Sequence, residues 1–200
     1  MMRAKSALAW AALTFIVGAP IAVAATSPYL AWRDPIYIIA GFAGIAALAL
    51  MVVQPLLVAG YLPGVARPTG RRWHKWVGIT LLGAVILHVV GLWITSPPDV
   101  VDALLLVSPT PFSVWGVAAM WLIIAAAVLV WMRRRLPLRS QTWRRVHTSL
   151  VGAALVGTVL HALLIVGTMG TISKWMLCLV AIVVSVKVIW DLRIWQWRRS

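Results

Sequence analysis

Residues 71–95 read RRWHKWVGITLLGAVILHVVGLWIT, and residues 144–168 read RRVHTSLVGAALVGTVLHALLIVGT. Each stretch opens on an arginine pair, meets a histidine two residues later, and carries a second histidine fourteen positions further on. The shared form is R-R-x-H-x13-H, found twice, 73 residues apart, and it uses all four histidines of the chain: His74, His88, His147 and His161. About 20 helical residues cross the hydrocarbon core of a bilayer. Both stretches are apolar and long enough to do so.

Working outward, the same kind of apolar run recurs. Runs lie near Ser6–Ala25, Pro35–Val58, His74–Thr95, Phe112–Met132, Val146–Thr168 and Ile172–Trp190. The composition agrees: 62% of the 200 residues are hydrophobic and only 11% charged, too few to cover a water-soluble globule. The ten-residue alternation of an outer-membrane barrel is absent. The expected fold is therefore all-α, an integral membrane bundle of six transmembrane helices forming a single domain over residues 1–200, with membrane lipid as its solvent. A net charge of +14 would suit a nucleic-acid binder, but the basic residues sit in short clusters between apolar runs, so no nucleic-acid partner is expected. Cys178 is the only cysteine and forms no internal disulfide, and no C-x-x-C-H motif for covalent haem attachment occurs.

The clusters also orient the chain. Arg3 and Lys5 precede the first run. Arg67, Arg71, Arg72 and Lys75 lie before or at the start of the third. Arg133, Arg134, Arg135, Arg139, Arg144 and Arg145 lie between the fourth and fifth, and Arg193, Arg198 and Arg199 end the chain, so fifteen of eighteen basic residues share one side. Arg33 and Lys174 fall opposite, Lys187 snorkels from the last helix, and Asp34, Asp99 and Asp102 lie on the poorer side. Both termini of the multi-pass chain are thus expected in the cytoplasm. Met1–Lys5 and Ala22-Val23-Ala24 also allow a signal-peptide reading, but the apolar run is long for an h-region and is taken as a retained helix.

Fourteen residues turn a helix through about 1400°, within about 40° of four full turns, and advance it about 21 Å. Both histidines of a stretch therefore share a face. The third and fifth spans run in the same direction, so His74 is expected to face His147 near the cytoplasmic surface, and His88 to face His161 further out. Ionisable residues deep in a membrane default to function. Two neutral imidazoles on facing helices can ligate a haem iron from both sides. The faces between the ligands read Gly78, Leu81, Val85 and Val151, Ala154, Thr158, which keeps such a site roomy and dry. A zinc or copper site fits less well, because each facing pair offers only two ligands. Arg71, Arg72, Arg144 and Arg145 lie beside the inner pair. They suit haem propionates, and positive-inside bias explains them equally. The tryptophans, among them Trp73, Trp76, Trp143, Trp175, Trp190 and Trp195, are read as interface markers. Gly78, Gly83, Gly152 and Gly157 are read as close-packing positions, and Cys178 as inert core.

Six spans with paired histidines on the third and fifth resemble the ferric reductase-like transmembrane domain. In length the chain is similar to the bacterial short form, the haem-binding subunit of the methionine sulfoxide reductase system, which implies a place in a bacterial inner membrane. The resemblance covers almost the whole chain. It implies two molecules of haem b, an inner one on His74 and His147 and an outer one on His88 and His161, with electrons entering from the cytoplasm and leaving outside. No glycine-rich dinucleotide fingerprint is present. The expected donor is thus a cytoplasmic flavin reductase or a membrane quinol, with flavin or quinone reached through a partner.

The function expected is that of a b-type cytochrome, the electron-transfer subunit of an oxidoreductase with no catalytic residue of its own, passing electrons to an acceptor such as a periplasmic redox protein. Ser96–Pro111 is read as a connecting loop lying on the membrane, and would be near that acceptor. The alternatives are a terminal reductase of ferric chelates or oxygen, and a haem-free transporter or assembly protein whose histidines relay protons.

Overall fold

The computed structural model describes residues 2–194. Trp195, Arg198 and Arg199 lie outside the described residues, as does the side chain of Arg3. The chain forms α1 (Met2–Ala25), α2 (Pro35–Ala59), α3 (Arg67–Thr95), α4 (Pro97–Leu104), α5 (Pro111–Trp131), α6 (Ser140–Leu164) and α7 (Thr171–Asp191), with no strand among the described residues. All but α4 are long and apolar enough to cross a membrane, so the six expected spans are present and the protein is a multi-pass membrane protein. A helix pairs its backbone groups internally, which the water-free hydrocarbon layer demands.

Local chemistry sets the helix ends. Asp34 caps α2, accepting from the Ile36 N–H at 2.7 Å, with Pro35 at the first helical position where no N–H is needed. The same helix stops at Gly60, whose φ of 72° is left-handed. Prolines also open α3, α4 and α5.

Two helix pairings position the histidines. α3 lies along α2, and α6 lies along α5. α7 packs on α2 and α6, and α1 closes over α2 and α7. Helices α3 and α6 are thus each buttressed by a neighbour, and their histidine faces meet in the interior. The core joins Leu48 and Val52 of α2, Leu81 of α3, Ala154 and Leu155 of α6, and Leu177, Cys178 and Ala181 of α7. Large apolar side chains such as Phe15, Ile86, Leu87, Val156, Leu179 and Val186 are exposed on the outside. Patches of that kind mark aggregation on a soluble protein and lipid contact on this one.

Several boundaries differ from the sequence reading. α3 begins at Arg67, not His74, so Arg71 and Arg72 stand on helix; the polar first turns of a span continue into the headgroup region where arginine is at ease. α6 begins at Ser140 and ends at Leu164, because Ile165 turns extended before Gly167 and Gly170. Ser96–Pro111 is not a plain loop. It holds α4, an eight-residue helix with Val100 buried, followed by exposed Leu105, Leu106 and Val107.

Candidate functional site

α3 carries His74 and His88, and α6 carries His147 and His161. The bundle brings them together as the spacing predicts. The His74 and His147 ring centroids are 6.5 Å apart, and those of His88 and His161 are 6.4 Å apart. The planes cross at 77° and 80°. The two pairs are alike in separation and in angle, at two levels of the bundle.

Three of the four rings are met from behind by the neighbouring helices. His88 Nδ1 lies 2.8 Å from the Ala40 carbonyl oxygen of α2, and His161 Nδ1 lies 2.8 Å from that of Phe112 of α5. His74 Nδ1 lies 3.2 Å from the Gln54 carbonyl oxygen. A carbonyl only accepts, so the contacts of His88 and His161 select the Nδ1–H tautomer and leave Nε2 with its lone pair. That is the form in which imidazole binds a metal, with a carbonyl as its outer partner. His74 Nδ1 instead faces both the Gln54 carbonyl and the Gln54 amide nitrogen, a donor.

Two glycines make room at one level. A Cβ on Gly44 would meet His88 Nδ1 at 3.0 Å, and one on Gly116 would meet His161 Nδ1 at 2.6 Å. Each glycine stands four residues, one helical turn, after the residue whose carbonyl accepts: Ala40 then Gly44, Phe112 then Gly116. The same device thus serves both rings. Phe112 adds an edge contact to His161, with centroids 5.8 Å apart. At the other level Gln54 takes this part. With its amide oxygen accepting from the Gly78 N–H at 2.7 Å, its amide nitrogen donates to the His74 carbonyl at 3.2 Å and also abuts His74 Nδ1.

Sequence reading missed Gln54, Ala40, Gly44, Phe112, Gly116 and Trp143. Gln54 was visible in principle, as a lone amide in an apolar run. The others carry no signal until it is known which helix backs which histidine. Trp143, read as an interface marker, stacks on His147 with centroids 5.2 Å apart and planes within 3°. Of the glycines read as packing positions, Gly157 meets Trp115 and Ala119 of α5 and Gly78 meets Gln54, whereas Gly83 and Gly152 face open space.

The arginines fall into two groups. Arg71 and Arg72 are exposed on the second turn of α3, just before His74. Arg144 donates to the Leu192 carbonyl at 3.3 Å and Arg145 Nε to that of Ile194 at 3.4 Å, tying the start of α6 to the end of α7. At the same end Tyr61 donates its hydroxyl to Asp191, which also pairs with Lys187 at 2.8 Å. The hydrogen bond to Asp191 raises the Tyr61 phenol above its ordinary range.

What can this donor set hold? No group of three or more metal-ligating side chains occurs among the described residues. Each level offers two imidazole rings side by side, one from α3 and one from α6. Imidazoles bound on opposite sides of one metal ion, at a bond of about 2.0 Å each, have ring centres roughly 6.3 Å apart. The separations here match that figure, and the remaining ligands must then come from a cofactor, as a haem macrocycle supplies them. The surroundings are apolar. Leu81 and Ala154 are buried on the two facing helices, and Leu48, Val52 and Leu155 pack in the same core. The residues fit the group.

No curated protein and no solved structure matches the chain. The family profile described as ferric reductase like transmembrane component matches residues 40–158, more than half of the sequence. The match takes in His74, His88 and His147 and stops three residues before His161, whose place rests on the geometry. Members of this family are typically haem-containing electron-transfer components of membranes. By this match, the chain belongs to the ferric reductase-like transmembrane family.

Proposed function

We propose that the protein is a membrane electron-transfer subunit in which His74 with His147, and His88 with His161, each hold one haem b. The observation that carries this reading is the pair of matched imidazole contacts, 6.5 and 6.4 Å between centroids, at the separation two axial ligands of one iron require. Haem bound there would supply a one-electron carrier at each of two levels. The chain's own residues do the rest. Carbonyls of Ala40 and Phe112 set the tautomer and ring orientation of His88 and His161, Gln54 holds His74 in place, Gly44 and Gly116 admit the rings, and Leu81 and Ala154 help to exclude water.

The positive-inside bias supports a cytoplasmic location for the arginine-rich end, and with it the His74–His147 level. On that orientation the donor is a cytoplasmic flavin reductase or a quinol, and the acceptor is a redox protein on the outer side, near α4. Arg71 and Arg72, exposed beside His74, are the arginines best placed for propionates, because Arg144 and Arg145 bind carbonyls near the end of α7. The test is the haem-to-protein ratio of the purified protein by pyridine haemochrome, with H74A, H88A, H147A and H161A alongside. The expected result is two haems per chain and about one in each variant. Folded, haem-free protein from haem-replete cells would refute the proposal.

A further inference from the structure

The four histidines are not supported alike. Three direct Nδ1 at a main-chain carbonyl: His88 and His161 at 2.8 Å, His74 at 3.2 Å. His147 Nδ1 is buried and meets no hydrogen-bond partner among the described residues. Its ring lies flat on Trp143 instead, one turn earlier on α6. The Arg133 guanidinium lies over that indole, 5.4 Å from its centroid. Arg133 is itself held, donating to the Leu138 carbonyl at 3.3 Å and to Ser140 Oγ at 3.4 Å. The indole Nε1–H is likewise buried without a partner among the described residues, so Trp143 is gripped by its faces and not by its polar edge.

This asymmetry has an electronic consequence if the pairs hold haem, the reading on which the present inference rests. An Nδ1–H bonded to a carbonyl makes an imidazole a stronger donor to its metal. Stronger donation favours the ferric state and lowers the reduction potential, and hydrogen bonding at the axial ligands is one of the protein's levers on that potential. The His88–His161 pair has two such bonds, both short. The His74–His147 pair has one such contact, longer and on a nitrogen that the Gln54 amide N–H also approaches. The Arg133 charge behind Trp143 acts in the same sense, since nearby positive charge disfavours the more positive oxidation state.

We propose that Trp143 is a positioning residue for His147, taking the place of the carbonyl the other three histidines have, and that the His74–His147 pair in consequence holds its haem at a higher reduction potential than the His88–His161 pair. An electron arriving from the arginine-rich end then rests at the first level and moves outward when an acceptor withdraws it.

The test is an equilibrium redox titration of the haem-loaded full-length protein, followed by visible and EPR spectra, in wild type, H88A, H147A, W143F and W143L. H88A is expected to remove the lower-potential component and H147A the higher. W143L shifts the higher component and its ferric low-spin EPR signal and leaves the lower one in place. W143F keeps an aromatic face on His147 and leaves both unchanged. A reversed assignment by H88A and H147A overturns the inference, even if W143L fails to fold. So does a W143L protein identical to wild type in both readouts. Wild-type protein without haem instead refutes the reading beneath it, a separate and recognisable result.

Discussion

Gly116→Ala tests the packing behind His161. A Cβ there would sit 2.6 Å from His161 Nδ1 and 2.7 Å from Cε1, where ordinary contact begins at 3.4 Å, so the ring must retreat by about 0.8 Å. That movement strains the 2.8 Å bond to the Phe112 carbonyl and alters the spacing from His88. Overpacking costs about 1–3 kcal/mol, and the weakened hydrogen bond about 1 kcal/mol more. Alanine's better helix propensity returns about 1 kcal/mol. The net expectation is a loss of about 2 kcal/mol, with the haem proposed for His88 and His161 lost or reduced. Gly83→Ala is the control. A Cβ there meets nothing within 4 Å, and nine helical positions from His74 it stands on the opposite face of α3. It should be neutral or stabilise by up to about 1 kcal/mol. Gly44→Ala falls between, since its Cβ would lie 3.0 Å from His88 Nδ1. The assay is thermal unfolding in detergent with haem content measured on the same samples. A G116A protein as stable and as pigmented as wild type, or a G83A protein as damaged as G116A, would refute the reasoning.

Lys174 donates to the Leu163 and Ile165 carbonyls at 3.2 and 2.6 Å, closing the end of α6 just beyond His161. Lys174→Met should therefore lower stability by about 1–3 kcal/mol in the same unfolding assay, and an unchanged midpoint would show that the cap is idle. Asp191→Asn weakens the acceptor that holds the Tyr61 proton. A raised phenol pKa means that the contact stabilises the fold below the ordinary tyrosine range and is lost as pH rises through the raised value. An ultraviolet titration should accordingly show one tyrosine ionising at lower pH in D191N, and identical curves would count against the contact. Orientation can be read with a membrane-impermeant thiol reagent on intact cells. Labelling is expected for D99C and not for R139C, and the reverse pattern would invert the topology.

The sequence alone determined that the chain spans a membrane six times. Hydrocarbon excludes water, so every backbone group must pair within its own segment, and a helix of about twenty apolar residues announces itself in composition. It also determined the histidine pairs, because fourteen residues close on four helical turns whatever surrounds them. Both are local properties, set by period and polarity along one segment. Tertiary packing decided the rest. That Ala40 and Gly44 serve His88, that Phe112 and Gly116 serve His161, and that Gln54 serves His74 results from α2 backing α3 and α5 backing α6. Lipid-soluble helices carry no strong pattern of their own to specify such neighbours, since apolar side chains face lipid and protein alike. Arg144 and Arg145 suited propionates and positive-inside bias equally in sequence, and only the fold showed the carbonyls at the end of α7 that they bind. Trp143 read as one interface tryptophan among many, and only the fold put His147 on its face, because a contact one turn apart depends on which way both side chains turn.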